Sequence, residues 1–273
     1  MEPSSVLAVR ELSSSRTPEG IIMKIVVIGG TGLVGSQVVQ GLTERGHDVV
    51  AAAPSTGVDT ITGEGLAAVL TGTSVVVDVS NSPALDDSAI EFFRTATTNL
   101  LAAEQEAGVR HHVALSVVGT DKLAPQSGYF QGKLLQEKLI SEGPIPFSIV
   151  HATQFFEFLN TLADSATQGD TVVLPTKYFQ PMAAADVAEG VAIVATGEPV
   201  NGITEIGGPE MVLLPDLIRT ALTAHGDSRT VVGDPAASYW GVDIEERTLV
   251  PGPGARLFDT RFEDWVLAAA AKP

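Results

Sequence analysis

The chain has 273 residues, 44% of them hydrophobic and 18% charged, the make-up of a globular protein with one large α/β domain or two small ones. Its 16 basic and 33 acidic side chains leave a formal charge of -17, a field that repels nucleic acid and anionic membranes and so excludes both as partners. There is no cysteine, which excludes disulfides, thiolate metal sites and a cysteine nucleophile, and accords with a reducing cytoplasm.

No run approaches the ~18 apolar residues of a membrane span. Residues 1–22 are polar and aperiodic around Glu11–Gly20 and lack the apolar stretch of a signal peptide. They are expected to form a disordered extension, with Met23 opening a single domain that runs to residue 273.

Lys24 to Ile28 is an apolar, β-branched run that predicts a short buried strand. Gly29, Gly32 and Gly35 follow at three-residue intervals, and Gly30 adds the overlapping frame G-x-G-x-x-G. Leu33, Val34, Val38, Val39 and Leu42 then recur at helical spacing. Strand, glycine loop and helix in this order make a seat for a pyrophosphate. Glycine lets the backbone approach where a Cβ would collide, and the free amides and dipole of the helix start favour an anion.

Asp48 to Ala53 predicts the second strand. Its tip carries neither an acid for a ribose 2′-hydroxyl nor an arginine for a 2′-phosphate; Ser55 and Thr56 could bond either, so NAD and NADP stay open there. Residues 57–65 are short for a full strand, helix and strand. A helical stub, Leu66–Leu70, precedes a buried strand of the parallel type, Ser74–Val79, whose end, Ser80-Asn81-Ser82-Pro83, falls where ligands bind in open α/β sheets. A helix over Ala89–Ala107, ended by Gly108, a strand over His112–Ser116, a helix over Ser127–Ser141 and a strand over Phe147–Val150 continue the alternation. The pattern predicts a Rossmann-type doubly wound parallel sheet, its core over about 23–153. Beyond it, an aromatic-rich amphipathic helix opening at Gln154–Leu159 and helices over Asp186–Ala195 and Pro215–Ala224 predict a small substrate cap, mainly within 154–273.

Ser116, Tyr129 and Lys133 form the second constellation. Ser116 ends a strand at the ligand edge, and Lys133 stands one helical turn beyond Tyr129 on the same face. A free phenol, with a pKa near ~10, is a poor acid–base catalyst at neutral pH. A nearby ammonium lowers that value toward what proton transfer to a substrate oxygen needs. The serine hydroxyl can hold the same oxygen, and a nicotinamide would supply hydride.

These two motifs together, Gly29-Gly-Thr-Gly-Leu-Val-Gly35 and Ser116 with Tyr129-Phe-Gln-Gly-Lys133, resemble the short-chain dehydrogenase/reductase superfamily. Asn99-Leu-Leu101, Ile149–Phe155 and Gln180–Ala188 narrow the likeness to the atypical NmrA-like branch with its quinone reductases, over Met23 to about Ala195. The resemblance implies NADPH, with NADH as the alternative, held by Gly29, Thr31, Gly32 and Gly35 at the diphosphate, with Leu33 and Val34 flanking them. It implies Ser55 and Asp59 on the adenosine side, Ser80, Asn81 and Ser82 beside the middle of the cofactor, Lys133 on the nicotinamide ribose, and Thr153, Gln154 and Phe155 bordering nicotinamide and substrate. Many relatives carry arginine where Ala53-Pro54 and His151 stand here.

The activity expected is NAD(P)H-dependent reduction of a carbonyl or quinone, of an aromatic or polycyclic kind, with Tyr129 as proton donor. Such enzymes also serve as the reducing half of aromatic polyketide oxygenation. The rival is a non-catalytic dinucleotide redox sensor acting through a protein partner. A third reading, an epimerase or dehydratase on a nucleotide sugar, lacks a basic cluster in the cap for a second diphosphate. No metal site is expected: His111 and His112 are adjacent on a strand and point to opposite faces. Asp86, Asp87, Glu104 and Glu106 read as solvated helix charges. Phe155, Phe156 and Phe158 read as core or as an aromatic wall for a flat substrate. The oligomeric state stays open.

Overall fold

The structure, a computed structural model, describes residues 22–270. Of the extension expected over 1–22, only Ile22 falls within the described residues. The chain begins with β1 (Lys24–Ile28), α1 (Leu33–Glu44) and β2 (Asp48–Ala52). The short α2 (Leu66–Leu70) leads to β3 (Val75–Asp78), α3 (Ser88–Ala107) and β4 (His111–Val117). Then come α4 (Thr120–Leu123), α5 (Gly128–Ser141) and β5 (Phe147–Ala152). The second half holds α6 (Leu159–Ser165), β6 (Thr167–Gln168), β7 (Thr171–Leu174) and β8 (Tyr178–Phe179). It continues through α7 (Ala184–Thr196), β9 (Gly202–Gly207), β10 (Val212–Leu213) and α8 (Leu214–Ala224). It closes with β11 (Thr230–Gly233), β12 (Arg256–Leu257) and α9 (Phe262–Ala270).

Seven strands form one sheet in the order β12-β9-β5-β4-β3-β1-β2. Every pairing in it is parallel. Such a sheet needs cover on both faces, which is why its strands are Val- and Ile-rich runs without alternation; all of Val75–Asp78 is buried. On one face α1 and α7 lay Val34, Val38, Leu42, Val187 and Val191 against Val27, Val77, Val113 and Val150. On the other, α2, α3 and α5 bring Leu70, Leu100 and Ile140 to Val26, Val76 and Ile149. Only β2 lies outside β1, so the short stretch after β2 does what its length implies: it crosses directly to β3.

The cap is built from α6, α8 and α9, the sheet β11-β7-β6 and the pair β10-β8. Its core is continuous with Leu123, Ala124 and Phe130 from α4 and α5 and the turn between them. The 154–273 stretch is not all cap, since α7, β9 and β12 return to the main sheet. The helix expected from Gln154 starts only at Leu159. Phe155 is extended and bridges Met182, and the Phe156 amide donates to the Met182 carbonyl, so strand-like pairing delays the helix. Among the described residues no helix is long and apolar enough to cross a membrane.

Candidate functional site

Parallel strands bring all their carboxyl ends to one edge of the sheet. There stand the loop after β1, the Ser80–Ser82 loop after β3, and Thr153–Phe155 after β5. The first loop is shaped by close approach. Gly29 has φ +78°, and a Cβ on Gly35 would come 2.1 Å from the Gly29 carbonyl oxygen. Thus Gly35 lets the start of α1 pack on the loop itself. Among the described residues, no side chain caps α1 at Gly32. Its first-turn amides are therefore left for an anion. Thr31, Gly32 and Leu33 are exposed, while Val34 is buried in the core.

At the tip of β2 the Thr56 hydroxyl is engaged with Ala51 and Ala53 in its own turn, and Ser55 is exposed. Asp59 is engaged through one oxygen in its own turn: Oδ1 accepts from the Ile61 and Thr62 amides at 2.7 and 3.3 Å. Asn99 on α3 holds that loop by donating to the Thr60 and Ile61 carbonyls.

Tyr129 comes from the first turn of α5. A Cβ on Gly132 would meet the Ala89 carbonyl and the Phe93 ring at 2.8 Å, so glycine there lets α5 lie close on α3. The Tyr129 ring then packs edge-on to Phe93, and its hydroxyl donates to Asn81 Oδ1 at 2.9 Å. Burial pushes the phenol up to about 12, and the Asn81 contact opposes this.

The other two members of the expected constellation are used elsewhere, and no hydrogen bond joins either to Tyr129. Ser116 donates to Glu137 Oε1, which also bonds His151 Nε2 at 3.0 Å; all three side chains are buried. Ser116 and His151 are cross-strand partners on β4 and β5, both facing α5. The expectation that Ser116 holds a substrate oxygen therefore meets a hydroxyl already bound to a buried carboxylate. Lys133 is 3% exposed; Nζ donates to the Leu115 carbonyl at 2.8 Å and Gln136 Oε1 at 2.5 Å, and lies 4.8 Å from the centre of the Phe93 ring. Burial pushes this ammonium down to about 8, with Asp78 and Glu137 opposing. The expected lowering of the phenol by Lys133 is not what this geometry gives: Lys133 touches the far partner of a shared ring, and burial raises the phenol instead.

Sequence reasoning passed over Asp78 and Gln136. Gln136 Nε2 donates to Asp78 Oδ2 at 2.8 Å, and Asp78 Oδ1 accepts from the Ser80 amide and hydroxyl at 2.9 and 2.6 Å. The signal was there: Tyr129, Lys133, Gln136 and Ile140 follow helical spacing, so Gln136 lies on the stripe that faces the sheet. Ser82 is buried and accepts from the Ala84 amide at 3.3 Å. Glu104 is a correction. It is fully buried and bonds His112 Nδ1 at 2.9 Å. His111 bonds Ser148 at 2.9 Å, so the two histidines do face apart and serve the fold.

The residues present fit a dinucleotide. Besides the uncapped α1, the buried Thr153 Oγ1 and both polar atoms of the Gln154 amide have no hydrogen-bond partner among the described residues. Thr97, His111, His112 and Asp186 each carry one such atom elsewhere, so it is their place at the carboxyl edge of the sheet that makes Thr153 and Gln154 candidates to meet a ligand. Beside them Phe155 and Phe158 stack at 5.6 Å and 28°, with Phe158 51% exposed.

The model of the NAD dependent epimerase/dehydratase family matches residues 25–140. The chain is 29% identical over 229 residues to divinyl chlorophyllide a 8-vinyl-reductase of Oryza sativa subsp. indica, across 70% of this chain and 56% of that protein. It thus spans little more than half the length of that relative. A short-chain dehydrogenase/reductase superfamily protein from Agrobacterium tumefaciens, solved with NAD bound, matches with TM-score 0.67 and 19% identity, over 90% of this chain and 96% of that one. The dTDP-4-dehydrorhamnose reductase of Bacillus anthracis, in complex with NADP, matches with TM-score 0.67 and 13% identity, over 91% and 98%. The structural likenesses establish the fold. Over β1 to α5, which is less than half of the chain, the sequence is similar to the NAD dependent epimerase/dehydratase family, and the glycine loop and the strand order accord with that likeness.

Proposed function

We propose that the chain is an NAD(P)H-dependent reductase of a carbonyl or quinone on a flat aromatic substrate. The observation that carries this reading is the Tyr129 hydroxyl on Asn81, at the carboxyl edge of the sheet and across from the uncapped start of α1. NADPH is the first choice of cofactor; solved structures with the same fold hold NAD or NADP. When bound, it supplies hydride to the carbonyl carbon. Gly29, Gly32 and Gly35 with the α1 amides hold its diphosphate, and Thr153 and Gln154 take its polar groups or the substrate's. Tyr129 is a neutral phenol at pH 7 and can give its proton to the developing alkoxide; burial raises it, which makes it a weaker acid than a free phenol, so its contribution rests on its position at the sheet edge. The Phe155–Phe158 stack supports an aromatic substrate over a sugar. In the cap, Arg219, Arg229 and Arg261 are tied to Asp216, Asp227 and Glu210, which argues against a grip on a second diphosphate.

The second reading, a dinucleotide sensor, is favoured by one observation: the Ser116 hydroxyl and the Lys133 ammonium are both bound within the protein. The test is NADPH and NADH oxidation, followed by absorbance, against quinones and aromatic ketones on one side and nucleotide sugars on the other. Turnover on the first panel is the expected result. Turnover on the sugars alone, or tight dinucleotide binding without turnover on anything, would overturn it.

A further inference from the structure

A chain of hydrogen bonds runs around the Tyr129 hydroxyl without touching it. From Lys133 Nζ it passes to Gln136 Oε1, from Gln136 Nε2 to Asp78 Oδ2, and from Asp78 Oδ1 to the Ser80 amide and hydroxyl. The next residue, Asn81, accepts from Tyr129. Since Tyr129 and Lys133 are one turn apart on α5, the path closes into a ring. Asp78, Gln136 and Lys133 are each at most 3% exposed. In such surroundings hydrogen bonds hold their geometry and charges are weakly screened. Gln136 is placed so that its two ends cannot be exchanged: its oxygen must face the ammonium and its nitrogen the carboxylate.

We propose that Asp78 and Gln136 are positioning residues, which fix the Lys133 ammonium on the Leu115 carbonyl beneath the Phe93 ring and set the loop whose Asn81 amide accepts from Tyr129. Neither touches the reacting atoms. Asp78 sets the conformation of the Ser80–Asn81 loop from β3, and Gln136 couples that loop to the lysine on α5. This rests on the reductase reading for its catalytic consequence, and on the hydrogen bonds through Gln136 together with the Asp78 charge for its electrostatic one.

The charged groups facing Lys133 are Asp78 from β3 and Glu137 from its own helix; β4 contributes the Leu115 carbonyl and α3 the Phe93 ring. His151 on β5 stands behind Glu137, and the Glu104–His112 pair lies behind Asp78. Removing the Asp78 charge therefore takes away a group that favours the ammonium, and leaves Glu137 to act alone.

The experiment uses the full chain in two arms. In the first, lysine side chains are labelled with carbon-13 at Cε and titrated by NMR without cofactor, with Lys133→Met identifying the Lys133 signal. Asp78→Asn, which keeps the shape, is expected to lower the Lys133 midpoint by at least about half a pH unit, and Gln136→Met to lower it as well. A midpoint that stays put in both overturns the proposal. In the second arm the pH profile of kcat is measured for the same variants. Asp78→Asn and Gln136→Met are each expected to lower kcat by roughly tenfold or more, by displacing the loop that carries the Asn81 partner of Tyr129, and Gln136→Met added to Tyr129→Phe is expected to cost no further activity. A kcat that stays put in both variants while Lys133 moves overturns the link to Tyr129. A wild type that turns over no acceptor sinks the reductase reading and leaves the first arm to decide the electrostatic claim. Two variants guard against one that fails to fold.

Discussion

A phenol and an ammonium placed one helical turn apart do not act on each other unless both turn the same way. Here Tyr129 turns to the sheet edge and Lys133 turns inward, with Phe93 touching both. The phenol is accordingly a neutral donor, raised by burial, and not a phenolate stabilised by lysine. Burial acts with equal clarity on His111, which is 3% exposed and bonds Ser148 through one ring nitrogen only. Burial pushes His111 down to about 4 from its ordinary value of 6.5. As pH falls below 6.5 the unfolded chain takes up a proton that the folded chain refuses. The stability His111 contributes is thus fully present above that pH and lost down to about 4, an effect on the order of 3 kcal/mol. Urea unfolding between pH 7 and 4.5 is expected to show wild type losing stability more steeply than His111→Gln; parallel curves would contradict this.

Within elements, the contrast between two glycines of α1 tests the loop geometry. A Cβ on Gly35 strikes the Gly29 carbonyl at 2.1 Å, whereas one on Gly41 meets only the end of Arg45 at 3.6 Å. Gly41→Ala is expected to stabilise by about 0.5–1 kcal/mol, by removing backbone entropy from the unfolded chain. Gly35→Ala is expected to lower the unfolding midpoint and weaken dinucleotide binding together. A Gly35→Ala chain that melts like wild type would refute the packing. The same loop was the most legible part of the sequence, because strand, glycines and helix are contiguous there and each declares itself locally. The polar residues inside the fold were not, since their burial depends on what packs over them. Helix charge alone makes Glu104 look solvated, yet it continues the buried stripe Phe93, Thr97, Leu100 on α3 and closes on His112. The end of β4 points Ser116 toward a ligand, and nothing local to that strand announces that Glu137 on α5 reaches its hydroxyl. The strands β6, β8, β10 and β12 have two residues each, too few for any period to show, and exist only through partners distant in the chain.

At the scale of the whole molecule, the cap and the sheet layer share one apolar cluster. Phe156, Leu159, Leu217 and Phe262 of the cap pack with Leu123, Ala124 and Phe130 from around α4 and α5. Phe156 meets both Phe262 and Trp265, which tie α9 to the turn after β5. Phe156→Ala is expected to destabilise by about 3–5 kcal/mol and to lower one unfolding transition of the entire chain in calorimetry. Two separated transitions would show that the cap melts by itself. Phe155 packs instead against the cluster on the α1 and α7 face, and its stack with the exposed Phe158 stands where the chain leaves β5. The most direct measurement is turnover of wild type and Tyr129→Phe side by side, on the best acceptor, with NADPH affinity measured for both. The account predicts equal affinity and a kcat lower in the variant by roughly 100-fold or more; equal kcat in the two would contradict it.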